Sequence, residues 1–208
     1  MASLLLARLL LSIVLTTVIF CNLGKADSHI TDDDWETRRC ANLNPYVDEN
    51  TIILITERNS KWTQDQFCHA FRKNMKVSGG YKMSVDFQLG GSVGNYPGFI
   101  FNKWDDCNYD WIYKQLTGKF IFGRVRNCGS ITYGSPNTFG SETISPKTIW
   151  YNLRIEVANN KNVKVFLNNV LKGSFTAYFN TRGFGGVAIA NGYSTTCQFR
   201  DFEIEPMN

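Results

Sequence analysis

The 208-residue chain carries 22 Lys or Arg against 18 Asp or Glu, a formal net charge of +4 at pH 7. So small an excess argues against a general electrostatic binder of nucleic acid, and equally against a strongly acidic mineral-binding or disordered protein. Its 17 Gly and 15 Phe, with little helix-period patterning, fit a sheet protein with many turns.

The first 26 residues read as a signal peptide. Arg8 is the only charge before an apolar run from Leu9 to Phe20, and Gly24-Lys25-Ala26 supplies the small-x-small pattern of a cleavage site. That run of about a dozen residues is short of the ~20 that span a bilayer, and no second long run follows. The sequence therefore predicts a secreted, extracellular product without a membrane span, starting at Asp27. Residues 27–50 form a polar N-terminal leader in which Asp32-Asp33-Asp34 reads as a solvated charge run.

Residues 51–208 read as one domain, because no repeat, low-complexity tract or linker divides them. Thr51–Thr56 (TIILIT) is an apolar strand. Ser60–Lys73 is assigned a short helix, although the alternation of Phe67, His69 and Phe71 also allows a strand. Tyr81–Leu89 alternates cleanly, which puts Tyr81, Met83, Val85, Phe87 and Leu89 on one face. The glycine-rich loop 90–98 opens no helix and is followed by no Lys-Ser or Lys-Thr, so a phosphate-binding loop is not indicated. Phe99–Trp104 is a strand. Thr117-Gly118 is read as a two-residue turn between Tyr109–Leu116 and Lys119–Arg126.

From Trp150 to Ile204 short strands alternate with turns. Leu153, Ile155 and Val157 share one face, as do Val163, Val165 and Leu167, and Asn168-Asn169 marks a tight hairpin turn. Gly185-Gly186 precedes a strand from Val187 to Ala190. Phe202 and Ile204 share a face with which Phe199 is out of phase, and a bulge at Arg200-Asp201 would bring all three inward. Trp150 is read as a core residue bridging two sheets. The strand count predicts an all-β, two-sheet antiparallel sandwich with at most one or two short helices.

Cys40, Cys68, Cys107, Cys128 and Cys197 remain after signal cleavage. In an oxidising compartment they should pair, and the odd one could link a disulfide-bonded dimer. With no CxxC spacing and only His29 and His69 to add imidazoles, a zinc site is not indicated. The assumed hairpin register puts Cys107 opposite Cys128, within disulfide reach. Cys40, Cys68 and Cys197 compete for the second bond.

In order and spacing, a set of short motifs resembles the concanavalin A-like lectin/glucanase superfamily, above all its laminin-G-like and keto-disaccharide-hydrolase-like branches. The matching elements are Gly80-Tyr81 opening YKMSVDFQL, Gly98-Phe99-Ile100 opening FIFNKW, and Gly118-Lys119-Phe120. Trp150-x-x-Leu153-Arg154-Ile155-Glu156-Val157, Phe184-Gly185-Gly186-Val187-Ala188 and Phe199-x-Asp201-Phe202-x-Ile204 complete the set, over about residues 79–205. The resemblance implies a jelly-roll lectin-like domain used outside cells to bind a glycan or an extracellular protein.

Glycan-cleaving enzymes of that superfamily carry a Glu-x-Asp-x-x-Glu strand, which this sequence lacks. Asp201, Glu203 and Glu205 are its nearest approximation and read as a solvent-facing edge. His69 has no nucleophile beside it in a recognisable setting. A non-enzymatic binding role is therefore expected, the alternatives being an extracellular matrix structural or assembly protein without glycan binding and a glycan-active hydrolase. In the assumed register Tyr109 faces Arg126 and Trp111 faces Arg124, so these four residues, with Tyr113 and Phe122, would share one sheet face. Flat rings for stacking beside guanidinium donors suit a saccharide, while the alternative reading makes Tyr113 and Phe122 core and lets the arginines snorkel or stack on the aromatics. Asp105 and Asp106 are two oxygen donors of the six or more that calcium needs, a weak cofactor signal.

Overall fold

A computed structural model of the chain describes residues 35–38, 47–48, 51–56, 67–90, 96–115, 118–128, 130–140, 143–144, 149–190 and 195–207. The signal peptide, Asp32-Asp33-Asp34, Cys40, residues 60–66, Leu116 and Thr117 lie outside the described residues. Every described element is a strand, and no helix among them is long and apolar enough to cross a membrane. The first strands are β1 (Trp35–Arg38), β2 (Val47–Asp48), β3 (Thr51–Thr56), β4 (Phe67–Ser78) and β5 (Tyr81–Leu89). Then come β6 (Tyr96–Asp105), β7 (Asn108–Lys114), β8 (Phe120–Arg126), β9 (Ser130–Phe139) and β10 (Tyr151–Val157). The last four are β11 (Asn162–Leu167), β12 (Val170–Thr176), β13 (Arg182–Ala190) and β14 (Thr195–Pro206).

These strands form two seven-stranded antiparallel sheets, β1-β4-β13-β6-β7-β8-β9 and β12-β11-β10-β5-β14-β3-β2. The first is called the front sheet below and the second the back sheet. A single core cluster, including Phe87, Phe99, Phe101, Ile112, Leu153, Val165 and Phe199, is drawn from both. Each such side chain contributes roughly 1.5–3 kcal/mol by leaving water. The expected two-sheet sandwich is what the chain forms.

The back sheet follows its sequence pattern closely. β5 and β10 alternate buried and half-buried positions along their whole length, and β5 turns inward the five residues expected. Asn168 and Asn169 take φ of 50° and 63°, the left-handed pair a two-residue hairpin turn requires. At the closing strand, Asp201 has φ 53° and the β14–β5 register shifts between Arg200 and Glu203. This bulge inserts one residue and brings Phe199, Phe202 and Ile204 all into the core.

Four expectations change. Residues 67–73 are strand, not helix: His69 and Phe71 are buried in β4, which pairs with both β1 and β13. The strand alternation outweighs a helical reading because neighbours on both sides satisfy its backbone. Part of the leader belongs to the sandwich, since β1 and β2 edge the two sheets and Trp35 is buried against Phe202 at 5.2 Å. Gly185 and Gly186 lie inside β13 rather than before it, at a bulge against β4 and β6. A Cβ on Gly186 would come within 2.1 Å of the Ala70 carbonyl oxygen, so only glycine fits there. Trp150 is half-buried beneath the Arg200 guanidinium, 4.0 Å from its ring, and the adjacent Tyr151 takes the inward position.

Candidate functional site

The hairpin of β7 and β8 carries the residues the sequence nominates, in a register one residue from the expected one. Tyr109 pairs with Val125, Asp110 with Arg124, Trp111 with Gly123 and Tyr113 with Ile121. The cause is in the loop. The Gln115 amide donates to the Lys119 carbonyl at 2.7 Å, so the connection spans three residues, ending at Gly118 with φ 103°. Because side chains alternate with period two, this slip sends the two strands' nominated residues to opposite faces. Tyr109, Trp111 and Tyr113 lie on the outer face of the front sheet, in a second apolar cluster with Phe71, Ile100, Val125 and Ala188. Phe122 points into the main core. Trp111 stacks on Tyr113 at 4.7 Å and meets Tyr133 edge-on at 5.5 Å. Only 1% of Trp111 is accessible, so its role is packing.

The Cys107–Cys128 disulfide is present despite the changed register. Asn127 and Cys128 both take left-handed φ, at 53° and 57°. The turn brings Cys128 back so that its amide donates to the Cys107 carbonyl at 3.3 Å, with the Cα atoms 4.1 Å apart. Cys68 is also disulfide-bonded, whereas Cys197 is free and fully buried, and burial raises its thiol pKa well above the usual range. A covalent dimer through Cys197 would require opening the core.

Arg124 shares the core-facing side with Asp110 and lies 4.5 Å from the Tyr178 ring, while Arg126 is exposed at the strand end. Asp110 is fully buried. Its Oδ1 accepts from the Tyr178 amide at 3.2 Å, and its Oδ2 from the Phe179 amide at 3.1 Å and Asn102 Nδ2 at 2.9 Å. The Tyr81 hydroxyl donates in turn to Asn102 Oδ1 at 2.8 Å. Desolvation outweighs these bonds and the nearby Arg124, and raises the Asp110 pKa to about 6. The network ties residues 178–179 to the bulge of β6.

That bulge builds the cleft sequence reasoning missed. Asn102 has φ 49° and the β6–β7 register shifts between Phe101 and Asp105, which re-aims Lys103 and Trp104. On the neighbouring β13, Gly183 has φ 113°, and a Cβ there would sit 2.2 Å from the Lys103 carbonyl oxygen. The two backbones therefore approach as only glycine permits. Lys76, Lys103, Trp104, Arg182, Gly183 and Phe184 line the resulting cleft of ≈ 170 Å³. The Arg182 guanidinium lies 3.7 Å from the Trp104 ring, which is 47% exposed. Lys103 is buried, its Nζ bonded to Asp106 Oδ1 at 2.8 Å and 4.0 Å over the Phe71 ring. Phe71 in turn packs on Phe184. The missed signal was Trp104 itself, a large ring at a strand end beside a polar turn. Its partners lie far away in sequence, and only the sheet order β4-β13-β6 gathers them.

The other nominated acids are occupied. Asp105 Oδ1 accepts from the Cys107 amide at 2.7 Å and from Asn108 Nδ2 at 2.9 Å, an Asp-stabilised turn, while Asp106 pairs with Lys103. Among the described residues no group of three or more His, Cys, Asp or Glu could hold a metal ion. Asp201, Glu203 and Glu205 are exposed on β14. Glu205 pairs with Lys82 at 2.5 Å, and Arg200 lies 3.6 Å from Asp201. Glu203 and Glu205 line a shallow polar groove of ≈ 270 Å³ on the back sheet, with Lys82, Ser84, Asn152, Arg154 and Asn169. His69 is buried between Phe71 and Tyr109.

No protein-family model matches the sequence. Among solved structures, the carbohydrate-binding module CBM66 of Bacillus subtilis superposes with a TM-score of 0.61 at 13% identity, over 83% of this chain and 95% of that one. The β-glucanase of Bacillus licheniformis gives 0.56 at 14% identity, over 87% and 95%. The carbohydrate recognition domain of Emp46p, in a metal-free form, gives 0.56 at 13% identity, over 89% and 94%. The chain thus has the concanavalin A-like jelly-roll fold implied by its motifs. At such identities the likeness is one of fold, and the fold serves binding modules and hydrolases alike.

Proposed function

We propose that the chain is a secreted, non-enzymatic, lectin-like domain that binds a saccharide in the Trp104 cleft. The observation that carries this reading is a solvent-open tryptophan beside arginine and lysine donors, in a concavity positioned by two backbone irregularities. An indole face suits the C–H face of a sugar ring, and the cationic N–H groups suit its oxygens. Tyr109 and Trp111 belong to the apolar cluster that includes Phe71 and is packed against by Phe184. The predicted signal peptide and the disulfides fit an extracellular site of action. On a glycan array the intact protein should bind at least one saccharide, and Trp104→Ala should lose that binding while melting at an unchanged temperature. Retained binding in Trp104→Ala would remove the cleft from the reading.

One observation favours a glycan-active hydrolase instead, the placement of Glu203 and Glu205 in the back-sheet groove. The ion pair of Glu205 with Lys82 weighs against it, because a general acid must keep its proton near neutral pH. Turnover of a β-glucan that is abolished in Glu203→Gln would establish this second reading.

A further inference from the structure

We infer that the saccharide taken by the Trp104 cleft is anionic, a sugar carrying a sulfate or a carboxylate. This rests on the saccharide-binding reading and specifies its ligand class. Three neighbouring strands, β4, β13 and β6, each deliver one cation to the cleft: Lys76, Arg182 and Lys103. No acidic side chain is among its described lining residues. Asp106 neutralises Lys103, and no carboxylate of the described residues lies within ion-pair distance of Lys76 or Arg182. Two positive charges therefore converge on one small concavity without a counter-ion among the described residues. In a chain whose basic and acidic residues nearly balance, such a cluster is a local feature rather than a reflection of overall charge.

The geometry also fits an oxyanion on a ring better than a free ion. Arg182 lies over one face of the indole, which leaves the N–H groups at the edge of its guanidinium plane for a bidentate contact. Trp104 still exposes nearly half its surface, on which the sugar ring would pack. Buried Lys103, held over Phe71 and paired with the half-exposed Asp106, lines the same cleft.

The test is calorimetric titration of the full protein with three polymers: dextran sulfate, hyaluronan and uncharged dextran. Either anionic polymer should bind at least about tenfold tighter than dextran, and the tighter of the two identifies the oxyanion. Arg182→Gln and Lys76→Gln should each weaken that binding roughly tenfold, and added salt should weaken it further. Lys119→Gln, an exposed lysine outside the cleft, should leave it unchanged. Dextran binding as tightly as dextran sulfate would overturn the anionic preference and leave the saccharide reading standing. Equal losses in Lys119→Gln and Arg182→Gln would reduce the effect to general charge and overturn it as well. No binding to any of the three polymers, nor to any saccharide on the array, would overturn both readings.

Discussion

The two sheets have equal strand numbers and bury them differently. On the back sheet one face meets the core and the other meets water, so β5 and β10 alternate strictly, with Lys82, Ser84, Asn152 and Arg154 facing outward. On the front sheet the centre is buried on both faces. Six consecutive residues of β7, Tyr109 to Lys114, are buried, and the outer face carries its own cluster of aromatic residues. The contrast shows where a sandwich can hold a site. A polar face offers hydroxyls and charges without an aromatic platform, while a doubly buried face hides its aromatics. A platform is solvent-open in the cleft where a bulge turns Trp104 out of the front sheet.

Breaking the contrast should have its largest effect at Trp111. Trp111→Ala should cost about 4 kcal/mol in denaturant unfolding, as for a core aromatic, and Arg154→Ala on the back sheet's outer face under about 1 kcal/mol. Comparable costs at both positions would mean that the outer front face is not a second core. Next comes Asp110→Ala, which strands the Tyr178 and Phe179 amides and Asn102 Nδ2. A loss of about 3 kcal/mol is expected by the same measurement, part of the cost being offset by removal of a buried charge.

A smaller effect follows from the raised pKa of Asp110. The folded state holds its proton up to about pH 6 while the unfolded chain releases it near 3.8, so the folded state binds more protons between these values. Stability therefore falls as pH rises through that window, by about 1 kcal/mol between pH 5 and pH 7 from this residue alone. Thermal melts should show that slope flattened in Asp110→Asn. The smallest effect belongs to the back sheet, where Lys82→Ala removes an ion pair whose side chains are both about half exposed. Its cost should be no more than about 0.5 kcal/mol and should disappear in high salt.

The same contrast explains what was legible in the chain. A strand wet on one side writes its register into the sequence, because a one-residue slip would expose Met83 or Ile155 and bury Lys82 or Arg154. That is why β5, β10, β11 and the Phe199–Ile204 bulge were readable. In β7 both faces are buried and the core-facing parity of the hairpin carries Asp110, Lys114 and Arg124 among its apolar residues, so alternation did not penalise the wrong register, and a three-residue loop passed for a two-residue one. The disulfide was readable nonetheless, since a shift of one residue leaves Cys107 and Cys128 neighbours across the turn. Buried Asp110 left no pattern, and Trp104 was visible at its strand end without the partners that build the cleft, since both depend on backbone from strands distant in sequence.

By itself the sequence determined the sandwich, the alternating strands of the back sheet such as β5, β10 and β11, and the Cys107–Cys128 bond, because alternation and turn chemistry act over a few residues. Tertiary structure alone decided which face each hairpin aromatic occupies and which residues stand together at a site. Lys76, Trp104 and Arg182 meet because β13 inserts between β4 and β6, and because Asn102 and Gly183 adopt left-handed backbone where those strands close on one another. No local rule within any one strand contains that meeting.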